Sequence, residues 1–394
     1  MNTILFTSYK NKLTQAIMLG MLVLATNQAQ AVSYSFSDLG TFNGAYSGAG
    51  ANGVNNLGQV TGYGVANNNF IPYVWNGDIA APLELGPNGI GAVGISINNA
   101  GQSSGYNNLP NDGGSIALRW EGTVAVPLDG LAGGNSVGMS LNNHGQVVGY
   151  SAANSSWSEL HAARWDGTAI TDLGGLGGNN SMANSINDAG QVVGFSSTAG
   201  DNASHAASWS GTVITDLGTL GGTNSAANAI NNAGQIVGNS LITNDETTHA
   251  TLWDANTGIP SDLGSLGLDS NAAAISNAGQ IVGGSTLADG SGHATLWDGN
   301  SIIDLNNFLP AGFAADGWVL YQANAISDNG IIVGWAENGP DLSTATWGSF
   351  KLTPSAVPVP GAVWLFGSAL AGFMGMKRRK NRLAVKSQLT IVAA

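Results

Sequence analysis

Cysteine is absent from the 394 residues, so neither disulfides nor thiolate metal sites are available to this chain. Charge is sparse as well, with Asp, Glu, Lys and Arg making up only 9% of the sequence. The 43% apolar fraction is enough to fill a core, so this shortage does not mark disorder. Basic residues are nearly missing from the body. Between residues 32 and 356 only Arg119, Arg164 and Lys351 stand against all 24 acidic residues, a net charge of −21. Such a surface repels phosphate backbones and argues against nucleic acid as a partner. It is compatible with divalent cations, although a solvated acidic surface is the simpler reading. Zinc-type His-Glu-x-x-His, phosphate-cradling Gly-Lys-Ser/Thr and EF-hand loops are all missing.

What is present is glycine, 58 residues of it, together with much Asn, Ser and Thr, the composition of a turn-rich extracellular β protein. These residues are arranged periodically. Ile230-Asn231-Asn232-Ala233-Gly234-Gln235-Ile236-Val237-Gly238 returns in versions beginning at Val54, Ile97, Leu141, Ile186, Ile275 and Ile326. The turn glycines fall at 58, 101, 145, 190, 234 and 279, with a seventh at 330 after a longer step. A fixed period in the 40s signals a repeat architecture.

Each period reads as four short strands. Ser225–Ile230 leads through Asn231-Asn232-Ala233-Gly234 into Gln235–Ser240. Gly in the last turn position suits the left-handed conformation of a three-residue hairpin loop. His249–Trp253 is the third strand, with counterparts at His161–Trp165, His205–Trp209 and His293–Trp297 and looser copies ending at Trp75, Trp120 and Trp347. The fourth follows a tight turn such as Asp166-Gly167 and ends in Asp-Leu-Gly at 172–174, 216–218 and 262–264. Four short strands with one Trp per period predict an all-β, seven-bladed β-propeller over 32–356, with Trp and the Ile/Val pairs packed between neighbours. The Gly at 149, 194, 238 and 283 marks close backbone approach near the axis. Phe36–Gly40 is a spare fourth strand that would complete the last blade and cover open edges. Lys351-Leu352-Thr353 competes for the same place, and an open β-solenoid is the rival fold.

The Asn-x-x-Gly-Gln-x-Val-Gly core, the His-Ala-x-x-Trp strand and the Asp-Leu-Gly-x-Leu-Gly-Gly run resemble the HAF repeats of extracellular bacterial proteins. The resemblance covers most of 34–350 and is strongest from 141 to 300. It implies secretion and repeat architecture, with no defined activity.

The two ends read differently. Residues 1–31 form a signal peptide: Lys10 and Lys12, an apolar Ala16–Ala25 core, and small Ala29 and Ala31 before signal-peptidase cleavage. At 357–380, Val357-Pro358-Val359-Pro360 precedes an uncharged Gly361–Met376 run and Lys377-Arg378-Arg379-Lys380. That run is about 24 Å long as a helix, near membrane-spanning length once Val357–Pro360 is added. The basic cluster would hold 381–394 as a cytoplasmic tail, leaving the body outside. Motif, helix and basic cluster in this order resemble the PEP-CTERM sorting signal. The resemblance implies recognition by the membrane protease exosortase, transient anchoring through the C-terminal helix, and an envelope or matrix location tied to exopolysaccharide.

Within the body the reactive-looking residues have plain alternatives. His161, His205, His249 and His293 recur every 44 residues. One metal would need them in a ring at a narrow channel mouth, so a hydrogen bond within each blade is the simpler role. Gly134-Asn135-Ser136-Val137-Gly138 matches a nucleophile motif, but it falls on a repeat-consensus loop and lacks the strand-to-helix turn. Asp201, Asp245, Glu246, Asp289 and Asp341 are of a type that binds Ca²⁺, although their spacing specifies no site. No catalytic, cofactor or metal residue is therefore assigned. The expected function is non-catalytic binding of exopolysaccharide or another matrix component. A glycan hydrolase or lyase drawing on the divergent stretches 64–94 and 306–322, with Asp316 and Trp318, is the alternative, as is a purely structural envelope role.

Overall fold

A computed structural model describes residues 33–355 apart from 40–48, 67–68, 78, 84–90, 112, 133, 255–256 and 340–345. The expected signal peptide, with Ala29 and Ala31, lies outside the described residues. So does the expected sorting segment, with Val357, Pro358, Val359, Pro360, Lys377, Arg378, Arg379 and Lys380. Among the described residues no helix is long and apolar enough to cross a membrane. Tyr34–Pro354 forms one compact unit.

The expected turn chemistry is present. Around Gly234 (φ +81°) the Asn231 side chain accepts the N–H groups of Ala233 and Gln235 at 3.1 and 3.0 Å. The Asn231 N–H in turn donates to the Gln235 carbonyl, leaving a three-residue loop. The fifth repeat then runs antiparallel through Gly221–Ile230, Ile236–Ile242, Thr248–Trp253 and Pro260–Asp262. Register places Ile236 beside both Ile230 and Trp253, so apolar positions stack across three strands. The remaining repeats follow the same plan. Those from 136 to 218 join into one eight-stranded sheet through a single parallel pair, Leu160 with Asn180.

The core lies between repeats. Trp209 packs with Val148 and Ala162 of the preceding repeat, Trp253 with Val193 and Leu217, and Trp297 with Val237 and Ala250. Trp120, Trp165, Trp209, Trp253 and Trp297 are all buried. A single sheet has no way to cover both of its faces, so each neighbour supplies the missing one.

Closure resolves the competition among terminal strands. Tyr34–Asp38 pairs antiparallel with Thr346–Pro354 as the outer strand of the last sheet. Lys351, Leu352 and Thr353 belong to that sheet's third strand, so they are partners of the N-terminal strand and do not compete with it. The position held by Trp elsewhere is held here by Leu352, which pairs with Ile332. Trp347 is thus no copy of Trp253; it lies five residues earlier, at the other end of the strand. The divergent stretch near 310 explains the longer last period. It forms a 3₁₀ turn, Leu305–Phe308, and a short helix, Ala311–Ala315, and both lie on the closing strand. Phe308 meets Tyr34 and Phe313 meets Phe36, each at 5.1 Å between ring centres. The last repeat also bonds to the first, which an open solenoid does not do.

Candidate functional site: a channel with two unlike mouths

The inner strand of every repeat carries a one-residue bulge, visible as a register shift against the second strand. A bulge re-aims the extra side chain. Here all seven extra residues, Asn52, Ile95, Met139, Asn184, Asn228, Ala273 and Asn324, line a central channel of about 590 Å³. The four asparagines each donate to a carbonyl of the following repeat: Asn52 to Gly94, Asn184 to Ala227, Asn228 to Ala272 and Asn324 to Ala51. The channel wall is therefore amide-rich on one arc and apolar at Ile95 and Met139.

At the turn end of the channel, the second residue of each turn, an Asn or an Asp, takes part in a closed hydrogen-bond circuit. The N–H of Asn56 donates to the side chain of Asn99, and the relay continues through Asn143, Asp188, Asn232, Asn277 and Asp328 back to Asn56. Every link lies between 2.8 and 3.0 Å. Asp188 also accepts the amides of Asn143 and Asn232, and Asp328 those of Asn277 and Asn56. Burial alone would raise the Asp188 carboxyl, but the Asn143 and Asn232 bonds and the nearby His144 outweigh it and hold the group below the usual range. The first Asn of the turn points inward. Asn142 donates to the Gln146 side chain and to the Asn187 carbonyl, so its buried amide is fully used.

At the opposite end the motifs singled out in the sequence have structural employment. Each His Nδ1 meets the Asp of its own fourth strand: His161–Asp172 and His205–Asp216 at 2.8 Å, His249–Asp262 and His293–Asp304 at 2.7 Å. They tie the third strand to the fourth, as the within-blade reading requires. Ser136 is 1% exposed and accepts the Ala117 N–H at 3.0 Å. Ser181, Ser225 and Ser270 make the same bond to Ala162, Ala206 and Ala250. Ser136 is thus one of a series of staples to the preceding repeat.

The carboxylates proposed for Ca²⁺ are dispersed. Asp201 accepts from Asn179 and Asp245 from Thr223, each from the segment 22 residues before it, whereas Asp289 accepts from Ser291 within its own loop. Glu246 lies beside Asp245 in the same loop, and Asp341 is outside the described residues. No three His, Asp or Glu among the described residues are grouped to hold a metal. Asp316 ends the short helix, and its carbonyl accepts from Asn338. Trp318 is buried.

Sequence reasoning missed one series at this mouth, the residue after the second-strand glycine. It is Tyr63, Tyr106, Tyr150 and Phe195 in the first four repeats, Asn239 and Gly284 in the next two, and Trp335 in the last. The only available signal was an aromatic at a fixed offset, easily taken for core.

No family model and no curated relative matches the sequence. Among solved structures the chain is similar to the β-propeller domain of the Trilobed protease from Pyrococcus furiosus. Identity is 10% and the TM-score 0.50, over 81% of this chain and 95% of that one. It is also similar to puromycin hydrolase, at 15% identity and a TM-score of 0.51 over 74% of this chain, and it spans about half of that protein's length, 50%. At such identities the likeness is one of fold. Tyr34–Pro354, with its repeated antiparallel sheets packed face to face around a channel, is a β-propeller.

Proposed function

We propose that the chain is a secreted, seven-bladed propeller that binds extracellular polysaccharide and performs no chemistry on it. The carrying observation is how the reactive-looking groups are used. Ser136, the four His–Asp pairs and the Asn/Asp circuit are each committed to holding strands or repeats together. What stays open is a channel, its two mouths and the recesses between repeats, which is the equipment of a binding module. Delivery rests on the resemblance at the two ends: signal peptidase would cut after Ala31, and exosortase would act near Val357–Pro360.

The test is co-sedimentation of the purified protein with polysaccharide from the native matrix, with Ca²⁺ and with EDTA. Saturable binding without shortening of the polymer is expected. Depolymerisation would replace this reading with an enzymatic one, and failure to bind any fraction would leave a structural role. Mass spectrometry of the secreted form should find Val32 at its N-terminus and a C-terminus near Pro360; an intact precursor would overturn the sorting assignment.

A further inference from the structure

The aromatic series occupies a defined place. Tyr63, Tyr106, Tyr150 and Phe195 pair in register with Gly50, Val93, Val137 and Met182 of the inner strands. The Tyr63 ring lies over Gly50, where a β-carbon would come within 2.5 Å of its Cε1. Strand alternation puts Tyr150 on the same face as Val148, which packs against Ala183, Ile186 and Val192 of the next repeat. Each ring therefore sits between its own repeat and the next, over the inner strand, at the channel end away from the circuit.

All four rings are half-buried, so part of each meets solvent. None of the three phenolic hydroxyls has a hydrogen-bond partner among the described residues. Burial raises the pKa of all three tyrosines, and Tyr106 adds to the rise at both Tyr63 and Tyr150. Next to Phe195 the arc opens into a recess of about 340 Å³ lined by Asn224, Asn239, Leu241, Thr248 and Ser204. The Ser204 hydroxyl there is buried and unpaired.

Charge selects the occupant. Arg119 bonds to the Gly145 carbonyl and Arg164 pairs with Asp166, both beside the turns of the circuit end. Lys351, which pairs in register with Val333, lies toward the same end. The histidines at the aromatic end are engaged by aspartates. A polyanion would meet a body of net charge −21 with no cation at this mouth to offset it. An uncharged sugar ring suits it: its C–H face stacks on an aromatic ring and its hydroxyls reach phenol and amide groups.

We propose that Tyr63, Tyr106, Tyr150 and Phe195 form the glycan site, and that it takes uncharged pyranose chains in preference to uronic-acid polymers. This rests on the reading that the protein binds polysaccharide. The full chain is titrated with a soluble neutral glucan and a polyuronate of matched length, and in parallel tested for co-sedimentation with native matrix. Saturable binding of the glucan and at least tenfold weaker binding of the polyuronate are expected. Tyr106→Ala with Tyr150→Ala should lower glucan affinity at least tenfold, Tyr106→Phe with Tyr150→Phe by less, and Arg164→Ala not at all. If the double alanine variant does not fold, nitration of the unaltered chain decides, since bound glucan should shield Tyr106 and Tyr150. Unchanged affinity in a folded alanine variant, preference for the polyuronate, or nitration indifferent to glucan would overturn the site. Matrix binding that survives those results leaves the broader reading standing. A chain that binds neither probe nor matrix defeats both.

Discussion

A β-carbon on Gly149 would lie 1.9 Å from the Val137 carbonyl oxygen, and on Gly194, Gly238 and Gly283 it would meet the equivalent carbonyl at 1.8–2.0 Å. These glycines have extended backbone; what they supply is space beside the bulged inner strand. Gly145 differs, since its φ of +76° is the left-handed turn conformation. Gly149→Ala should therefore cost at least about 1–3 kcal/mol through overpacking, and Gly145→Ala about 1 kcal/mol, mainly through backbone strain, since its β-carbon would meet only the flexible end of Gln102 at 3.2 Å. Urea unfolding of the two variants checks the order. Asp304 makes a second residue-scale case. Burial pushes its carboxyl up, but bonds from His293 and from the Asn306 backbone and side chain, with the charge of His293, hold it below the usual range. A depressed carboxyl stabilises the fold fully above its unfolded value and loses that contribution as pH falls through the folded one. Asp304→Asn should thus lower stability at neutral pH and flatten its acid dependence below the ordinary carboxyl range. An acid limb identical to that of the unaltered protein would refute the assignment.

At the scale of elements, the N-terminal strand shields an edge that would otherwise template association. It also brings Tyr34 and Leu39 into the core at 8% and 6% exposure. Two such side chains contribute about 4 kcal/mol, or roughly 6 °C in a domain of this size. Deleting residues 33–39 should lower the melting temperature by about that amount and produce aggregates on size exclusion. The Trp of each third strand is worth more locally, because it fills the space between two sheets: Trp209→Ala should cost about 3–5 kcal/mol.

For the whole molecule, the decisive contacts join the ends of the repeat array. Asn56 and Asp328, 272 positions apart, exchange a backbone and a side-chain hydrogen bond. A double-mutant cycle on Asn56→Ala and Asp328→Ala should give a coupling of about 1–2 kcal/mol, with faster unfolding in either single variant. The same cycle on Asn143 and Asp188, one repeat apart, should match it in equilibrium coupling and leave the ends joined. Equal unfolding rates in the two series would show that the circuit closes nothing.

Much of this was legible in the residues. The left-handed turn glycine, the close approach at Gly149 and the within-repeat role of His161 and its counterparts all depend on partners a few to some twenty positions away, and the Trp that packs on the preceding repeat recurs with the period itself. Spacing and residue type report such contacts directly. Tertiary structure decided what depends on partners hundreds of positions away or in the next sheet. It placed Tyr34–Asp38 outside Lys351–Thr353 and put Leu352 where Trp was expected. It turned the second residue of every turn, Asn or Asp, into a link of one circuit, and it brought Tyr63, Tyr106, Tyr150 and Phe195 to one end of the channel. A repeat determines each sheet locally; only the ring's curvature determines which side chains converge on its axis.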